Sequence, residues 1–519
     1  MMKKLKLYSL PILSGFLIGT SYIPFPPWAI LFCIAPLWIF WTRTESLKTI
    51  FIAGWITQFI LNAIGFHWIA HTTVEFGRMP LPVGLLALLL FCSLAHLYYP
   101  IAGVLWKWLT KKLELSETTS LLILPFIFIL CERLYPFLFY WHFGYPWLWA
   151  RLPGFHTAEW IGFFGINLIT LIINTLFVLF WLKRKSKQWV HPFSIAAVSL
   201  FLFINIIGFF LSKKPLQTDK TLNVIAVQGN IGNLEKIYAQ EGRGYIKKIV
   251  DTYIDLTEKA LAESPETDLV VWPETAFPET LYTHRMDEHR HRLSELTTKY
   301  NITLLTGAYQ RGVFKEGSRQ SKNYNSIVLM KGSENIAAYQ KTILLAFGEY
   351  LPFAELYPPL KKMLPMVSDF GRGSGPTVLA YEKAKIGVQI CYEGLFDEFS
   401  TSLQKQDAQI LINITNDSWF GYPFEPYQHM YMTLARAVEN RIPLLRVTNT
   451  GISTLILQNG EVLEHSPRNQ TWYKRYEIPI ASTPPNTFYV RLSENWPLIL
   501  ILIIGLLIAG EKIARSRKH

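Results

Sequence analysis

The chain has 519 residues, of which 50% are hydrophobic and 17% are charged, and its formal net charge is +12. So few charged residues beside so many apolar ones exclude a protein that is soluble over its whole length. The apolar runs lie in residues 1–212 and 496–513, whereas residues 220–490 have an ordinary mixed composition. We therefore expect a membrane domain of seven helices, one globular domain after it, and one C-terminal transmembrane helix.

Eight apolar segments predict transmembrane helices, because a helix rises about 1.5 Å per residue and must cross about 30 Å of hydrocarbon. Four segments are long enough without reservation: residues 50–70, 81–106, 161–182 and 193–211. Segments 121–138 and 496–509 are shorter, and 7–23 with 28–41 are interpreted as a helical hairpin. A cleavable signal peptide would also fit the basic N-terminus, but no small-residue cleavage site follows it, so we expect it to be retained.

Short basic segments predict the orientation. They stand before the first predicted span and after the second, fourth, sixth and eighth, at residues 3–6, 43–48, 111–112, 183–187 and 515–518. Eight spans place all five on one side, with Lys213 and Lys214 as the exception, and positive charge marks that side as cytoplasmic. We therefore expect the globular domain on the periplasmic face of a bacterial inner membrane. Since these loops explain most of the positive charge, we expect no nucleic-acid partner.

Residues 220–490 alternate strands with amphipathic helices. The predicted strands are 222–228, 268–272, 303–308, 325–330, 335–339, 385–390, 409–414 and 444–447. The predicted helices are 236–261, 288–300 and 426–440, and a last hairpin is predicted at 453–457 and 462–465 around Asn459-Gly460. This alternation favours an α/β sandwich whose functional side chains lie at strand ends.

Cys391 follows a predicted strand and is the only cysteine of residues 220–490. A lone cysteine forms no disulfide within its domain, so it is either a core residue or a reactive thiol. Glu274 and Lys341 also stand at strand ends, where they fit a general base and a cation for a thiolate or an oxyanion. A capping carboxylate and a solvated lysine are the alternatives. The other cysteines lie in apolar spans as expected packing residues: Cys33, Cys92 and Cys131.

Three segments around these residues resemble the signatures of the carbon–nitrogen hydrolase (nitrilase) superfamily: Trp272-Pro273-Glu274, Lys341 with Phe347-Gly348-Glu349-Tyr350, and Ile390-Cys391-Tyr392-Glu393. Residues 416–421 and 435–440 resemble its downstream motifs. Residues 66–69, 76–80, 132–133, 143–147 and 227–230 are similar to segments of the apolipoprotein N-acyltransferases. The similarity follows the chain in order over nearly its whole length. One departure is Ile237-Tyr238, where the family pattern has a tryptophan.

The resemblance implies a nitrilase-like αββα sandwich outside the membrane. It implies a nucleophilic thiol, a general base and an oxyanion-stabilising cation: Cys391, Glu274 and Lys341. It also implies three supporting residues: Glu349, Tyr392 and Glu393. In this family a phospholipid gives an acyl chain to the cysteine as a thioester, and the amine of a diacylglyceryl-cysteine at the N-terminus of an apolipoprotein takes it.

The resemblance thus implies phospholipid, diacylated lipoproteins and the membrane as partners, with no cofactor and no metal; we expect a monomer. One alternative is a membrane-tethered amidase or nitrilase that passes the acyl group to water. Another is a transporter or lipid-binding scaffold with a silent domain. Residues 344–364 are apolar and broken by prolines. We interpret them as a lid that admits acyl chains, with Phe353 and Leu356 contacting lipid, and a buried crossover segment is the alternative.

Overall fold

The computed structural model describes residues 7–77, 79–136, 138–184, 191–232, 235, 245–281, 288–311, 322–352, 354, 356–363, 367–421 and 424–517. The chain divides into two compact units, Met1–Lys214 with Arg491–His519 and Pro215–Val490. In the described residues the first unit is helical, and every strand belongs to the second.

The first unit is built from apolar helices. They are Ser9–Gly19, Ala35–Thr42, Leu47–Gly65, Trp68–His71, Leu81–Leu94, Tyr98–Lys112, Glu117–Leu134, Tyr145–Trp149, Ala158–Lys183, Pro192–Ser212 and Trp496–Ser516. Five helical stretches of the described chain are long and apolar enough to cross a membrane: Leu47–Gly65, Leu81–Lys112, Pro153–Lys183, Pro192–Ser212 and Phe488–Ser516. The predicted polytopic helical part is confirmed, while the count of eight spans stays a prediction.

The two N-terminal predicted spans are shorter in the structure. Segments 7–23 and 28–41 contain helices of 11 and 8 residues, Ser9–Gly19 and Ala35–Thr42. At about 1.5 Å per residue these helices are roughly 16 and 12 Å long, less than the hydrocarbon core of a bilayer. Turns fill residues 20–34 between them. Prolines at 24, 26 and 27 prevent one continuous helix from joining the two, because proline has no N–H for a helical hydrogen bond.

The basic ends of the long helices meet on one side of the first unit. Three polar contacts join them: Glu45 with Lys111 at 2.9 Å, Lys183 with Thr118 at 2.8 Å, and Glu511 with the Ser116 N–H at 2.8 Å. Glu45 precedes Leu47–Gly65, and the partners stand at the ends of the other helices. The clustered positive charge therefore comes from one face of the unit.

The second unit contains eleven strands in its described residues. They are β1 (Lys220–Gln228), β2 (Leu269–Val271), β3 (Thr303–Arg311), β4 (Asn323–Lys331), β5 (Glu334–Gln340), β6 (Val378–Ala380), β7 (Lys385–Ile390), β8 (Ile410–Thr415), β9 (Leu444–Thr448), β10 (Thr454–Ile456) and β11 (Trp472–Ile480). They form a six-stranded sheet in the order β11-β1-β2-β3-β4-β5 and a five-stranded sheet in the order β10-β9-β8-β7-β6. Strands β1 to β3 and β7 to β9 run parallel, and the outer strands are antiparallel.

Helices cover both sheets of this unit. Tyr245–Glu263 and Glu288–Lys299 pack on the six-stranded sheet, and Asp397–Lys405 and Glu425–Asn440 pack on the five-stranded one; Pro359–Met363 is short, and Phe488–Leu492 leads out of the unit. Between the sheets, Gln228 accepts hydrogen bonds from Thr448 at 2.9 Å and Ser453 at 2.7 Å. The predicted αββα sandwich is confirmed.

Several elements of the second unit differ from the sequence prediction. The charged strand β11 and the three-residue β6 carry too little apolar alternation to be recognised, since β11 is an edge strand with half-exposed side chains. In the predicted last hairpin only β10 is a strand, and Val462 forms an isolated bridge to it. The helix predicted over 236–261 is described as Tyr245–Glu263, and residues 236–244 lie outside the described chain.

Candidate active site

The three predicted catalytic side chains lie at strand ends of both sheets. Glu274 comes three residues after β2, whereas Lys341 and Cys391 directly follow β5 and β7. They are 6%, 1% and 6% exposed, respectively. The Cys391 thiol interacts electrostatically with both Glu274 and Lys341. Thus the structure brings the predicted thiol, carboxylate and ammonium into one buried site.

The Lys341 ammonium lies between two carboxylates. Its Nζ is 2.8 Å from Oε1 of Glu349 and 3.6 Å from Oε1 of Glu274. Asn325 donates from Nδ2 to the same two oxygens, at 3.0 and 2.7 Å. Burial by itself would lower the pKa of Lys341, but Glu349 and Glu274 outweigh it, so the pKa is raised. Lys341 is therefore cationic at neutral pH. Asn325 and Lys341 hold the Glu274 carboxylate, and Glu349 binds both of these donors.

The backbone turns sharply at Cys391. Its φ of 52° lies in the left-handed region, which costs a non-glycine residue on the order of 1 kcal/mol or more. Burial raises the pKa of the thiol well above its usual value; Glu274 raises it further, and Lys341 acts in the opposite direction. The thiol is therefore protonated at neutral pH. The site therefore holds a protonated thiol with the Glu274 carboxylate beside it as a base, and not a preformed thiolate.

The Glu393 carboxylate joins the Cys391 turn to the strand end that carries Lys341. Its four donors are the Tyr339 hydroxyl and the backbone N–H groups of Thr342, Ile343 and Ile390, at 2.6, 2.7, 3.0 and 2.8 Å. The side chain is fully buried. Burial raises the pKa of Glu393 to about 7, although Lys341 and the hydrogen bonds act against it. Glu393 therefore fixes the separation of the thiol and the ammonium.

Replacing Glu393 with glutamine is expected to loosen this link. An amide offers one accepting oxygen, so its NH₂ group would face at least one N–H or O–H donor. We expect unfolding to become easier by about 1–3 kcal/mol and the alkylation rate of Cys391 to change with it. Thermal unfolding and iodoacetamide labelling of the full-length protein measure both. Glu398→Gln, on the exposed face of the next helix, is the matched control, and a Glu393→Gln variant as stable as this control would contradict the assignment.

Tyr392 and Glu349 also lie at the site. The Tyr392 ring is buried and makes an edge contact with Phe396 at 4.9 Å between centroids. Burial raises the pKa of the Tyr392 hydroxyl, and Tyr350 adds to this. Glu349 holds Lys341 with one oxygen and accepts the Leu345 N–H with the other at 2.8 Å. Tyr392 and Glu349 thus line the site that contains the three predicted catalytic groups.

Exposed apolar side chains lie on both sides of Glu349 in the sequence. Of the two predicted lid residues, Phe353 lies outside the described residues. Leu356 is 84% exposed, and Phe347 and Tyr357 are 59% and 56% exposed. Exposure of three large apolar side chains between residues 347 and 357 is unusual on a protein surface that meets only water. The segment is connected directly to the site through Glu349.

Asn325 and Tyr339 donate hydrogen bonds to the carboxylates of the site, and the sequence does not predict these two roles. The sequence predicts only strands at both positions, and their partners are decided by the pairing of β4 with β5, where Ile327 lies opposite Tyr339. A buried asparagine within an apolar strand was the available signal, because such a side chain requires hydrogen-bond partners.

Comparison with known proteins identifies the family of this chain. The carbon-nitrogen hydrolase family matches residues 224–481, and the apolipoprotein N-acyltransferase N-terminal domain matches residues 14–176. The chain is 44% identical to an apolipoprotein N-acyltransferase of Bdellovibrio bacteriovorus, over 98% of this chain and 94% of the relative. The chain belongs to the apolipoprotein N-acyltransferase family.

More distant apolipoprotein N-acyltransferases show the same extent of similarity. Relatives from Geobacter metallireducens and Shewanella oneidensis are 29% and 28% identical, over 94% and 98% of this chain and 92% and 96% of their own. The matches include both the apolar helices and the αββα sandwich. The chain is thus a membrane member of the nitrilase superfamily, as the resemblance of its motifs implied.

Proposed function

We propose that the protein transfers an acyl chain from a membrane phospholipid, through a thioester on Cys391, to the N-terminal amine of diacylglyceryl-cysteine in apolipoproteins. The observation that carries the proposal is the buried Glu274–Lys341–Cys391 site in a chain of the apolipoprotein N-acyltransferase family.

In the first half-reaction the Cys391 sulfur attacks the ester carbonyl carbon of the phospholipid while Glu274 takes the thiol proton. The carbonyl oxygen becomes an oxyanion beside the Lys341 ammonium, which stabilises it. The carbon–oxygen bond of the ester then breaks, and Glu274 returns the proton to the leaving alkoxide. The products are an acyl thioester on Cys391 and a lysophospholipid.

In the second half-reaction the lipoprotein amine attacks the thioester carbonyl carbon. The carbon–sulfur bond breaks as the amide bond forms, and Glu274 passes the amine proton to the departing sulfur. Burial of the three groups keeps bulk water away from the thioester, which favours transfer over hydrolysis. Asn325 supports Glu274 in both halves because it donates to the Glu274 carboxylate, and Glu349 accepts from the same Asn325 amide.

We place the 220–490 region on the periplasmic face of the inner membrane. The contacts of Glu45, Thr118 and Glu511 bring the basic helix ends to one side of the first unit. Positive charge marks that side as cytoplasmic. The helix Pro192–Ser212 starts after the basic end of Pro153–Lys183, and Trp496–Ser516 ends at Arg515 and Arg517. The chain between these two helices then lies on the periplasmic side of the membrane.

The exposed apolar segment supports the lid interpretation. We propose that Leu356 and the neighbouring Phe353 contact acyl chains on their way to Cys391. Leu356→Asp should then reduce acylation from phospholipid vesicles about tenfold, because a charged side chain is costly in hydrocarbon. Alkylation of Cys391 by soluble iodoacetamide should stay unchanged.

The matched control for the lid is Ile336→Asp. Ile336 is also an exposed apolar residue, at 43%, but lies on β5. We expect this control to keep both rates. An equal loss of acylation and alkylation in Leu356→Asp, or an equal loss of acylation in the control, would contradict the lid.

Transfer is separated from hydrolysis by following the acyl group to its acceptor. The purified full-length protein is given phospholipid with a labelled acyl chain and a synthetic diacylated lipopeptide. We expect the label on the lipopeptide amine, and none on a lipopeptide whose amine is acetylated. Release of the label as free fatty acid at the same rate with and without the amine would instead indicate a hydrolase.

A further inference from the structure

A connected row of buried polar side chains lies behind the Cys391 turn, and the half-reactions above do not use it. Asn413 is on β8 and Arg446 is on β9; Asp417 follows β8, and His429 is on the helix Glu425–Asn440. All four side chains are at most 4% exposed. Burying this many polar groups costs free energy unless each is held by a partner.

The row begins at the nucleophile's own backbone. Asn413 donates from Nδ2 to the carbonyl oxygen of Cys391 at 3.1 Å, and its Oδ1 accepts from Nη1 of Arg446 at 3.0 Å. The other end of the guanidinium, Nη2, donates to Oδ2 of Asp417 at 2.7 Å. Asp417 in turn accepts from Nδ1 of His429 through Oδ1 at 3.0 Å. The rigid, planar guanidinium of Arg446 thus connects the Asn413 amide to the Asp417 carboxylate. Asn413 binds the Cys391 carbonyl, and Asp417 accepts from His429.

The positive and negative charges within this row of side chains cancel each other. Burial by itself would raise the pKa of Asp417, but Arg446 and His429 outweigh it, so the pKa is lowered. Burial, and then Arg446, lower the pKa of His429. Glu425, 3.4 Å from His429, has a pKa raised well above its usual value by burial and by Asp417. Asp417 and Arg446 form one ion pair, with neutral His429 and Glu425 beside it.

Asp417, Glu425 and His429 are also close enough together to hold a metal ion. The Arg446 guanidinium already supplies the positive charge that Asp417 requires, and it occupies one of the two oxygens. The hydrogen bond from Nδ1 of His429 uses the other. Both oxygens of Asp417 are therefore occupied by Arg446 and His429, and we assign the row no metal.

The glycine at 451 fits against the same carboxylate. Its φ is 105°, and a Cβ at this position would lie 2.4 Å from Oδ2 of Asp417. Both the conformation and the space require glycine here. The chain thus leaves room for the Asp417 oxygen that Arg446 binds.

We infer that Asn413, Arg446, Asp417 and His429 form a positioning network that holds the Cys391 backbone in its left-handed conformation and so aims the thiol at Glu274 and Lys341. Glu393 holds the turn from the other side through the Ile390 N–H. The strained φ at Cys391 persists because the carbonyl on one side and the preceding N–H on the other are both bound. The network deepens the proposed function, since it acts on the nucleophile of that reaction.

Asn413→Asp tests the contact with Cys391. A carboxylate keeps the bond to Arg446 but presents an oxygen to the Cys391 carbonyl, so the turn is no longer held. We expect kcat of acyl transfer to fall about 100-fold with KM within about twofold, as for a misplaced reacting group. The control is Asn440→Asp, because Asn440 is equally buried and donates to the Arg436 carbonyl of its own helix at 2.8 Å. The control should keep its kcat, even with a lower unfolding temperature.

His429 tests whether the row acts as a unit. His429→Asn retains a donor near the position of Nδ1 and should keep kcat within about threefold, whereas His429→Leu should lower kcat about tenfold. The double variant combines His429→Leu with Asn413→Asp. Because members of one unit are not additive, this double variant should lose little more than Asn413→Asp alone. Fully multiplying losses would overturn the network.

Labelling of Cys391 with iodoacetamide separates this inference from the proposed function. Mass spectrometry of the Cys391 peptide gives the rate without any lipid substrate. We expect Asn413→Asp to change this rate about fivefold or more and Asn440→Asp to leave it unchanged, since thiol reactivity follows its surroundings. If the wild type transfers no acyl chain but this difference remains, the proposed function fails and the network stands. An unchanged kcat and labelling rate in Asn413→Asp, or equal effects in Asn440→Asp, would overturn the network.

Discussion

Replacing Glu274 with glutamine is expected to lower kcat of acyl transfer about 1,000-fold, in the range that general-base catalysis supplies. The thiol of Cys391 is protonated at neutral pH because burial raises its pKa. Its proton must therefore be removed as sulfur attacks. An amide cannot accept it, although it fills the same space beside Asn325.

The same substitution should make the thiol easier to ionise. Glu274 raises the pKa of Cys391, so its neutral replacement lowers that pKa. The rate of alkylation by iodoacetamide, measured from about pH 6 to pH 11, is then expected to rise at lower pH than in the wild type. Glu398→Gln should leave both measurements unchanged. A Glu274→Gln variant that retains transfer, or whose alkylation curve moves to higher pH, would exclude Glu274 as the base.

Replacing Lys341 with methionine is expected to reduce kcat about 100-fold to 1,000-fold, because an oxyanion donor is lost from a buried site. It also leaves Glu274 and Glu349 without the ammonium that lies 3.6 and 2.8 Å from them. Removing one partner of a buried ion pair costs about 3–5 kcal/mol, so a lower unfolding temperature should accompany the loss.

The pH curve of Lys341→Met should move in the direction opposite to that of Glu274→Gln. Lys341 lowers the pKa of the Cys391 thiol, so its removal raises that pKa and moves alkylation to higher pH. Lys383→Met removes an exposed lysine that pairs with Asp268 and is the matched control. Curves that move in the same direction for the two site variants would contradict the arrangement of charges around the thiol.

The strand-end positions of Glu274, Lys341 and Cys391 could be predicted from the sequence because the signals are local. Each residue follows a short apolar run, and its motif surrounds it within a few residues. The helical membrane part and an α/β sandwich were predictable for the same reason, since hydrophobic periodicity is a property of neighbouring residues. The αββα arrangement and the proximity of the three groups came from the family resemblance.

The contacts that hold the site could not be predicted in this way. Asn413 meets Arg446 because β8 and β9 pair in parallel with these two residues opposite each other. A one-residue change of register would turn both side chains to the other face. Nothing within a short window of sequence specifies that register. The interrupted N-terminal spans show the same limit, because mean hydropathy over a window does not register where prolines end a helix.

Passage of the acyl chain through Cys391 is tested by detecting the thioester intermediate itself. The full-length protein is incubated with acyl-labelled phospholipid in the absence of lipopeptide and then digested. We expect the mass of one acyl chain on the Cys391 peptide, its release by hydroxylamine, and its disappearance when the diacylated lipopeptide is added. Transfer to lipopeptide without acylation of Cys391, or equal hydroxylamine-sensitive labelling of Cys391→Ser, would exclude a thioester on Cys391.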